Sequence, residues 1–204
     1  MTAPSARAIV TLAVRSGCFD KATIADIIDD VAADDDVELR ALAKRLTDEK
    51  RTAEAGWTAI TTNDRITRAF AELRRTGIVA LENAGYGAPS THDEGWEAII
   101  DEATNHDELP RGAVFYCGAD LAGALAAKGL ALTVGTLAEV AAGSGTTLAQ
   151  RPPTAELARE ICDVLARHEV AASWNGTAVV IAPFRWQRRA YTKAPKPATP
   201  VKRR

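Results

Sequence analysis

Two His-Asp-Glu triplets, His92-Asp93-Glu94 and His106-Asp107-Glu108, flank a stretch that also holds Asp101 and Glu102. Imidazole and carboxylate side chains in this density suggest a divalent metal. The spacing argues against it, because consecutive residues diverge on a helix and ligands on one face need intervals of three or four. Capping accounts for the first triplet. Ser90 or Thr91 opens a helix, and Asp93 or Glu94 falls at the capping-box position near its positive end. The second triplet falls in the loop that follows. No metal, no cofactor and no catalytic residue is assigned from these spacings.

Cys117 ends an apolar run and is followed by Gly118 and Asp120. A strand-to-helix turn exposes some thiols, and a helix N-terminus lowers their pKa. With no histidine placed beside it by the sequence, Cys117 reads as a plain sheet cysteine. "AAGSGTT" has the glycines of a phosphate loop without its lysine, and no Gly-x-Gly-x-x-Gly follows a strand. "AGYGAPST" is read as a turn that needs positive φ at Gly85 or Gly87. The basic-aromatic interleave "FRWQRR" contributes Arg185, Trp186, Arg188 and Arg189, which with Tyr86 make the candidate binding surface. Trp186 itself is expected to pack, on an edge strand whose arginines face water.

The elements that would position these residues fall into two groups. Helical periodicity places Ile9, Leu12 and Ala13 on one face before Gly17, then Ile24, Ile27, Ile28 and Val31, then Leu39, Leu42 and Leu46. A fourth helix, "TNDRITRAFAELRR", aligns Ile66, Ala69, Phe70 and Leu73, and its Asp64, Arg68, Glu72 and Arg75 are spaced for an ion-pair ladder. From Gly77 strands and helices alternate: "IVALENA", "GAVFYCG" and "LALTVGT" as strands, "HDEGWEAIIDEATN", "ADLAGALAAKG" and "TAELAREICDVLARHE" as helices, the last capped by Thr154. "LAEVAAGSGTTLAQRPP" reads as irregular. Asn175-Gly176 marks a terminal hairpin. The expected fold class is α+β: a helical region (1–76) packed on a small sheet with helices on one side and a C-terminal β-hairpin (77–190), then a basic, Pro-rich, disordered tail (191–204).

Over 204 residues the formal net charge is -2, which offers no whole-protein attraction to nucleic acid or anionic lipid. Locally the balance is uneven. Eight acidic side chains lie between Asp20 and Glu38 against the single Lys21, and after Glu169 there is no acid. Cys18, Cys117 and Cys162 are odd in number and far apart, which argues against a disulfide framework or zinc ribbon. The N-terminus lacks the long uncharged core of a signal peptide or membrane span, so a cytoplasmic home and no membrane partner are expected.

Taken together, "TNDRITRAFAELRRTGIVALEN", "VFYCGAD" and "WNGTAVVIAPFRWQRR" resemble an uncharacterised bacterial domain-of-unknown-function family, over roughly Trp57 to Arg189. The resemblance implies architecture and no activity. Members often carry a Cys-Cys-x-x-Cys-Gly segment after the first strand. This chain has "AGYGAPST" there, so any metal role of that segment does not transfer.

The function expected from the sequence is a non-catalytic interaction or regulatory module with an unidentified protein partner or small ligand. One alternative is a winged-helix-like DNA-binding regulator. Nucleic acid is disfavoured because the fourth helix alternates acids with its arginines beside the most acidic part of the chain. The other alternative is an enzyme with a site around Cys117.

Overall fold

The computed structural model describes residues 4–32, 36–85, 90–142 and 145–190. Three helices open the chain: α1 (Ala6–Ser16), α2 (Lys21–Val31) and α3 (Asp36–Glu54). They enclose a core of their own, built on Val10, Val14, Ile28, Leu42, Ala43 and Leu46. The inward face of α1 is therefore Val10, Ala13 and Val14, not the expected Ile9 and Leu12, which are half-buried. Apolar residues occupy five of the positions 9–14, giving two overlapping stripes: Val10 and Val14 pack on α2 and α3, while Leu12 packs against the main core.

The fourth helix, α4 (Thr62–Arg75), belongs to the sheet. Its N-cap Thr61 and Asp64 form a reciprocal capping box. Ile66, Ala69, Phe70 and Leu73 enter the main core as their spacing predicts. The expected ladder along its outer face does not form. Asp64 pairs with Arg189, and Glu72 pairs with Arg167 and His168 at the C-terminal end of the last helix. Hydrogen bonds from Arg167 and then His168 hold the Glu72 carboxyl below its ordinary value. Because the folded value is depressed, this stabilisation is fully present above the ordinary value and is lost as pH falls through the folded one. Glu72→Gln is therefore expected to flatten the loss of stability below about pH 5, read as urea midpoints over a pH series; an unchanged pH profile would contradict the pairing.

After α4 come β1 (Ile78–Ala84), α5 (His92–Thr104), β2 (Gly112–Cys117), α6 (Gly118–Leu125), β3 (Leu130–Ala142), β4 (Gly145–Arg151), α7 (Ala155–Arg167), β5 (Ala172–Trp174) and β6 (Val179–Ile181). The sheet runs β1-β2-β3-β6-β5, with β4 paired to β3. β1 and β2 are parallel, and every other pair is antiparallel. The class is α+β, with the terminal hairpin at Asn175-Gly176 where expected. Leu137–Ala142 and Gly145–Gln150 are not irregular: they belong to a long antiparallel β3–β4 pair, in register from Thr136↔Arg151 to Ala142↔Gly145.

The expectation of helices on one side is also corrected. Alternate residues of β1 and β2 point into two different cores, as the period of two requires. Ile78, Ala80, Val114 and Tyr116 meet α4, α6 and α7 on one face. Val79, Ala113, Phe115 and Cys117 meet Ile99 and Ala103 of α5 on the other. Gly95 makes that second contact close, since a Cβ there would lie 2.3 Å from Phe115.

The chain ends its described course as a strap, Pro183–Ala190, with no regular secondary structure, so the expected edge strand is absent. Trp186 is buried between Tyr116 and Phe184 and donates its indole N–H to Ser16 O (2.9 Å). The Gln187 amide donates to Asn63 Oδ1, Arg189 to Asp64 and Thr58 O, and Lys50 of α3 to Arg188 O. Arg188 itself pairs with Glu82 and donates to the Tyr116 hydroxyl. The strap thus fastens α1 and α3 to α4 and the sheet. Gly17 lets it pass: φ is +67° there, and a Cβ would stand 2.7 Å from Arg188 O.

Candidate functional site

Parallel strands end at the same edge of a sheet, so whatever follows β1 and β2 gathers there. Ala84 and Cys117, the last residues of the two strands, are paired. From that edge the chain departs in opposite directions, α5 onto one face and α6 onto the other. Divergence of this kind at the carboxyl ends of adjacent parallel strands is where open α/β sheets take their ligands.

Three chemically capable side chains meet at this edge. His92 is the first residue of α5, Cys117 the last of β2, and Asp120 lies in the first turn of α6. Their ligating atoms lie within 4.8 Å of one another. Asp120 is the centre. Its Oδ2 accepts the Cys117 backbone N–H at 2.9 Å and the Cys117 thiol at 3.4 Å, and its Oδ1 stands 3.2 Å from His92 Nε2. Cys117 is fully buried, Asp120 nearly so, and His92 half exposed at the rim. Burial, followed by the Asp120 charge, pushes the Cys117 thiol up to about 12.

Ser90 holds the edge together. Its hydroxyl donates to Ala84 O and accepts from Gly118 N, both at 2.8 Å, while Ser90 O accepts from Ala119 N. The amides of residues 117, 118 and 119 are therefore all engaged within the protein. Thr91 caps α5 with Glu94 as its capping-box partner, so the expected capping holds while His92 is left to face Asp120. Beside the Ala84–Cys117 pair, in the irregular turn of β1, Asn83 has φ +53° and a buried Oδ1 with no partner.

Within its own triplet His92 has no partner at the spacing that shared ligation on a helix requires. The partners come from residues 25 and 28 positions away, delivered by the parallel pairing. His106, Asp107 and Glu108 are exposed in the loop after α5. Of the candidate binding surface, Trp186 is core, Arg188 is held by Glu82 and Tyr116, and Arg189 by Asp64 and Thr58 O. Only Arg185 of the described members is exposed, and Tyr86 lies outside the described residues. The four described members do not form one exposed surface. Gly85 carries the positive φ foreseen for the glycine turn, +104°.

The sequence model of one family, Domain of unknown function (DUF6891), matches residues 2–190. The chain belongs to this family. The match takes in α1–α3 as well as the sheet, so the domain of this family includes the N-terminal helices that the motif resemblance did not reach. Comparison with curated proteins and with solved structures returned no match. Among the described residues no helix is long and apolar enough to cross a membrane.

Proposed function

We propose that this member of the DUF6891 family is a non-catalytic binding module that receives its ligand, a small molecule or an exposed group of a protein partner, at the carboxyl edge of β1 and β2. The observation that carries this reading is the arrangement around Cys117. A thiol nucleophile needs an adjacent base and donors for the oxyanion it creates. Here the thiol's partner is a carboxylate, the imidazole lies beyond that carboxylate, and the amides of residues 117–119 are already bonded to Asp120 and Ser90. No imidazole is hydrogen-bonded to the sulfur and no amide of residues 117–119 is left for an oxyanion, whereas the polar atoms remain gathered at the edge. A reduced, cytoplasmic setting suits the three cysteines, which are all free.

Alkylation by iodoacetamide tests the non-catalytic character. Buried Cys117 is expected to react at least roughly 100-fold more slowly in the native chain than in urea, because reaction must await local opening. Peptide mass spectrometry gives the rate for this residue separately from Cys18 and Cys162. Faster alkylation in the native chain than in urea would establish an activated thiol and favour the enzyme. Binding at the edge is tested by capture from lysate: a specifically recovered component should be lost with His92→Ala and kept with Arg185→Ala, and the reverse would move the site elsewhere.

A further inference from the structure

We propose that His92, Cys117 and Asp120 form a site for a thiophilic divalent cation of the zinc class, with Cys117 Sγ, an Asp120 carboxylate oxygen and His92 Nε2 as its three protein ligands. This rests on the binding-edge reading above and names what makes that edge bind: the fourth coordination position faces the rim, where water or a donor group of the incoming ligand completes the shell.

The geometry supports a metal over other occupants. Tetrahedral ligands at zinc distances of about 2.0–2.3 Å stand about 3.3–3.8 Å apart. Cys117 Sγ stands 3.4 Å from Asp120 Oδ2 and His92 Nε2 3.2 Å from Asp120 Oδ1, so the carboxylate bridges the other two groups, and one ligand atom from each of the three lies within 4.8 Å of the others. His92, the exposed member, is the ligand with room to adjust its position. An anion is the competing occupant, since α5 and α6 both point N-termini at this edge. It is disfavoured because Asp120 repels it and the amides of residues 117–119 have no hydrogen left to offer. Thiolate and carboxylate together neutralise a divalent ion, so the helix dipoles face no net charge in the loaded site. Thiolate and imidazole in one set select zinc-like ions over magnesium and calcium, which take oxygen ligands.

Loading is a ligand exchange without electron transfer. The Cys117 S–H bond breaks and its proton passes to the buffer as the S–metal bond forms. Asp120 exchanges the thiol hydrogen bond for a metal–oxygen bond, and His92 binds as neutral imidazole. The cation enters past His92, whose side chain is 51% exposed against 8% for Asp120.

The test uses the purified full chain with Zn²⁺ or Co²⁺ alone. One equivalent should bind, releasing the thiol proton, and Co²⁺ should give a thiolate-to-cobalt charge-transfer absorption. Cys117→Ser should abolish that absorption. His92→Ala and Asp120→Asn should weaken Zn²⁺ by more than the roughly 10- to 100-fold that loss of an outer partner costs. Cys117 lies in the core, so the His92→Ala variant, changed at the exposed rim, keeps the test decisive if Cys117→Ser misfolds. Absence of the cobalt absorption in the wild type, or Zn²⁺ affinity unchanged in both His92→Ala and Asp120→Asn, overturns the site. Failure here with edge-dependent capture intact removes the metal and leaves the binding module. Metal binding with rapid Cys117 alkylation of the metal-free chain removes the non-catalytic reading and leaves the metal.

Discussion

Trp186→Ala is expected to lower the unfolding free energy by about 3–5 kcal/mol, the range for truncating a buried large aromatic. The indole is 9% exposed, meets Tyr116 edge-on at 6.0 Å and lies 5.9 Å from Phe184. Its N–H satisfies Ser16 O at the C-terminal end of α1, so the change also leaves a buried carbonyl without its donor. Trp186→Phe separates the two contributions. It keeps most of the packing and loses the hydrogen bond, and its cost should be closer to about 1 kcal/mol plus the smaller ring's cavity. Urea unfolding with the slope held in view measures both. A Trp186→Ala variant as stable as the wild type would show that the strap does not fasten the helices, and would return this side chain to the surface role its sequence context suggests.

Glu82→Ala carries the second large effect, a destabilisation of about 3–5 kcal/mol. Glu82 Oε2 accepts from Thr67 Oγ1 (3.0 Å) and the Tyr116 hydroxyl (3.3 Å), and the carboxylate pairs with Arg188. The pair is largely out of water, with 11% of the Glu82 side chain and 22% of the Arg188 side chain exposed. Removing the carboxylate strands a guanidinium and a fully buried tyrosine hydroxyl together, which costs far more than a surface pair is worth. Removing the charge from both sides should restore part of the loss: the Glu82→Met, Arg188→Met double variant is expected to be less destabilised than the sum of its single changes. Strict additivity in that cycle would contradict the coupling.

These two sites explain how far the sequence could be read. Phe70 and Leu73 were legible because a 3.6-residue stripe fits only one element, and Asn175-Gly176 because its turn type is nearly obligatory. The β3–β4 pairing was not, since alanine, threonine and glycine from Leu137 to Gln150 offer no apolar/polar alternation, and the Gly143-Ser144 dipeptide, a two-residue turn signal, stands between arms too weakly strand-like to give it meaning. In "FRWQRR" the tryptophan packs and Arg185 faces water as expected, whereas Arg188 and Arg189 turn to carboxylates of the fold. Whether Arg188 faces water depends on Glu82 and Tyr116, 106 and 72 residues away. The trio at the sheet edge failed for the same reason in stronger form. Cys117 and Asp120 meet locally across the cap of α6, but His92 reaches them only through the parallel register of β1 and β2, and register is invisible in a single strand.

The central claim is that a zinc-class cation is held at the carboxyl edge of β1 and β2, by His92, Cys117 and Asp120, and not at the basic-aromatic strap. Backbone amide resonances followed through addition of one equivalent of Zn²⁺ test it most directly. The account predicts shifts concentrated in Thr91–Gly95 and Tyr116–Leu121, with Phe184–Arg189 unmoved. Shifts centred on Phe184–Arg189, or no shifts at the edge of β1 and β2, would contradict it.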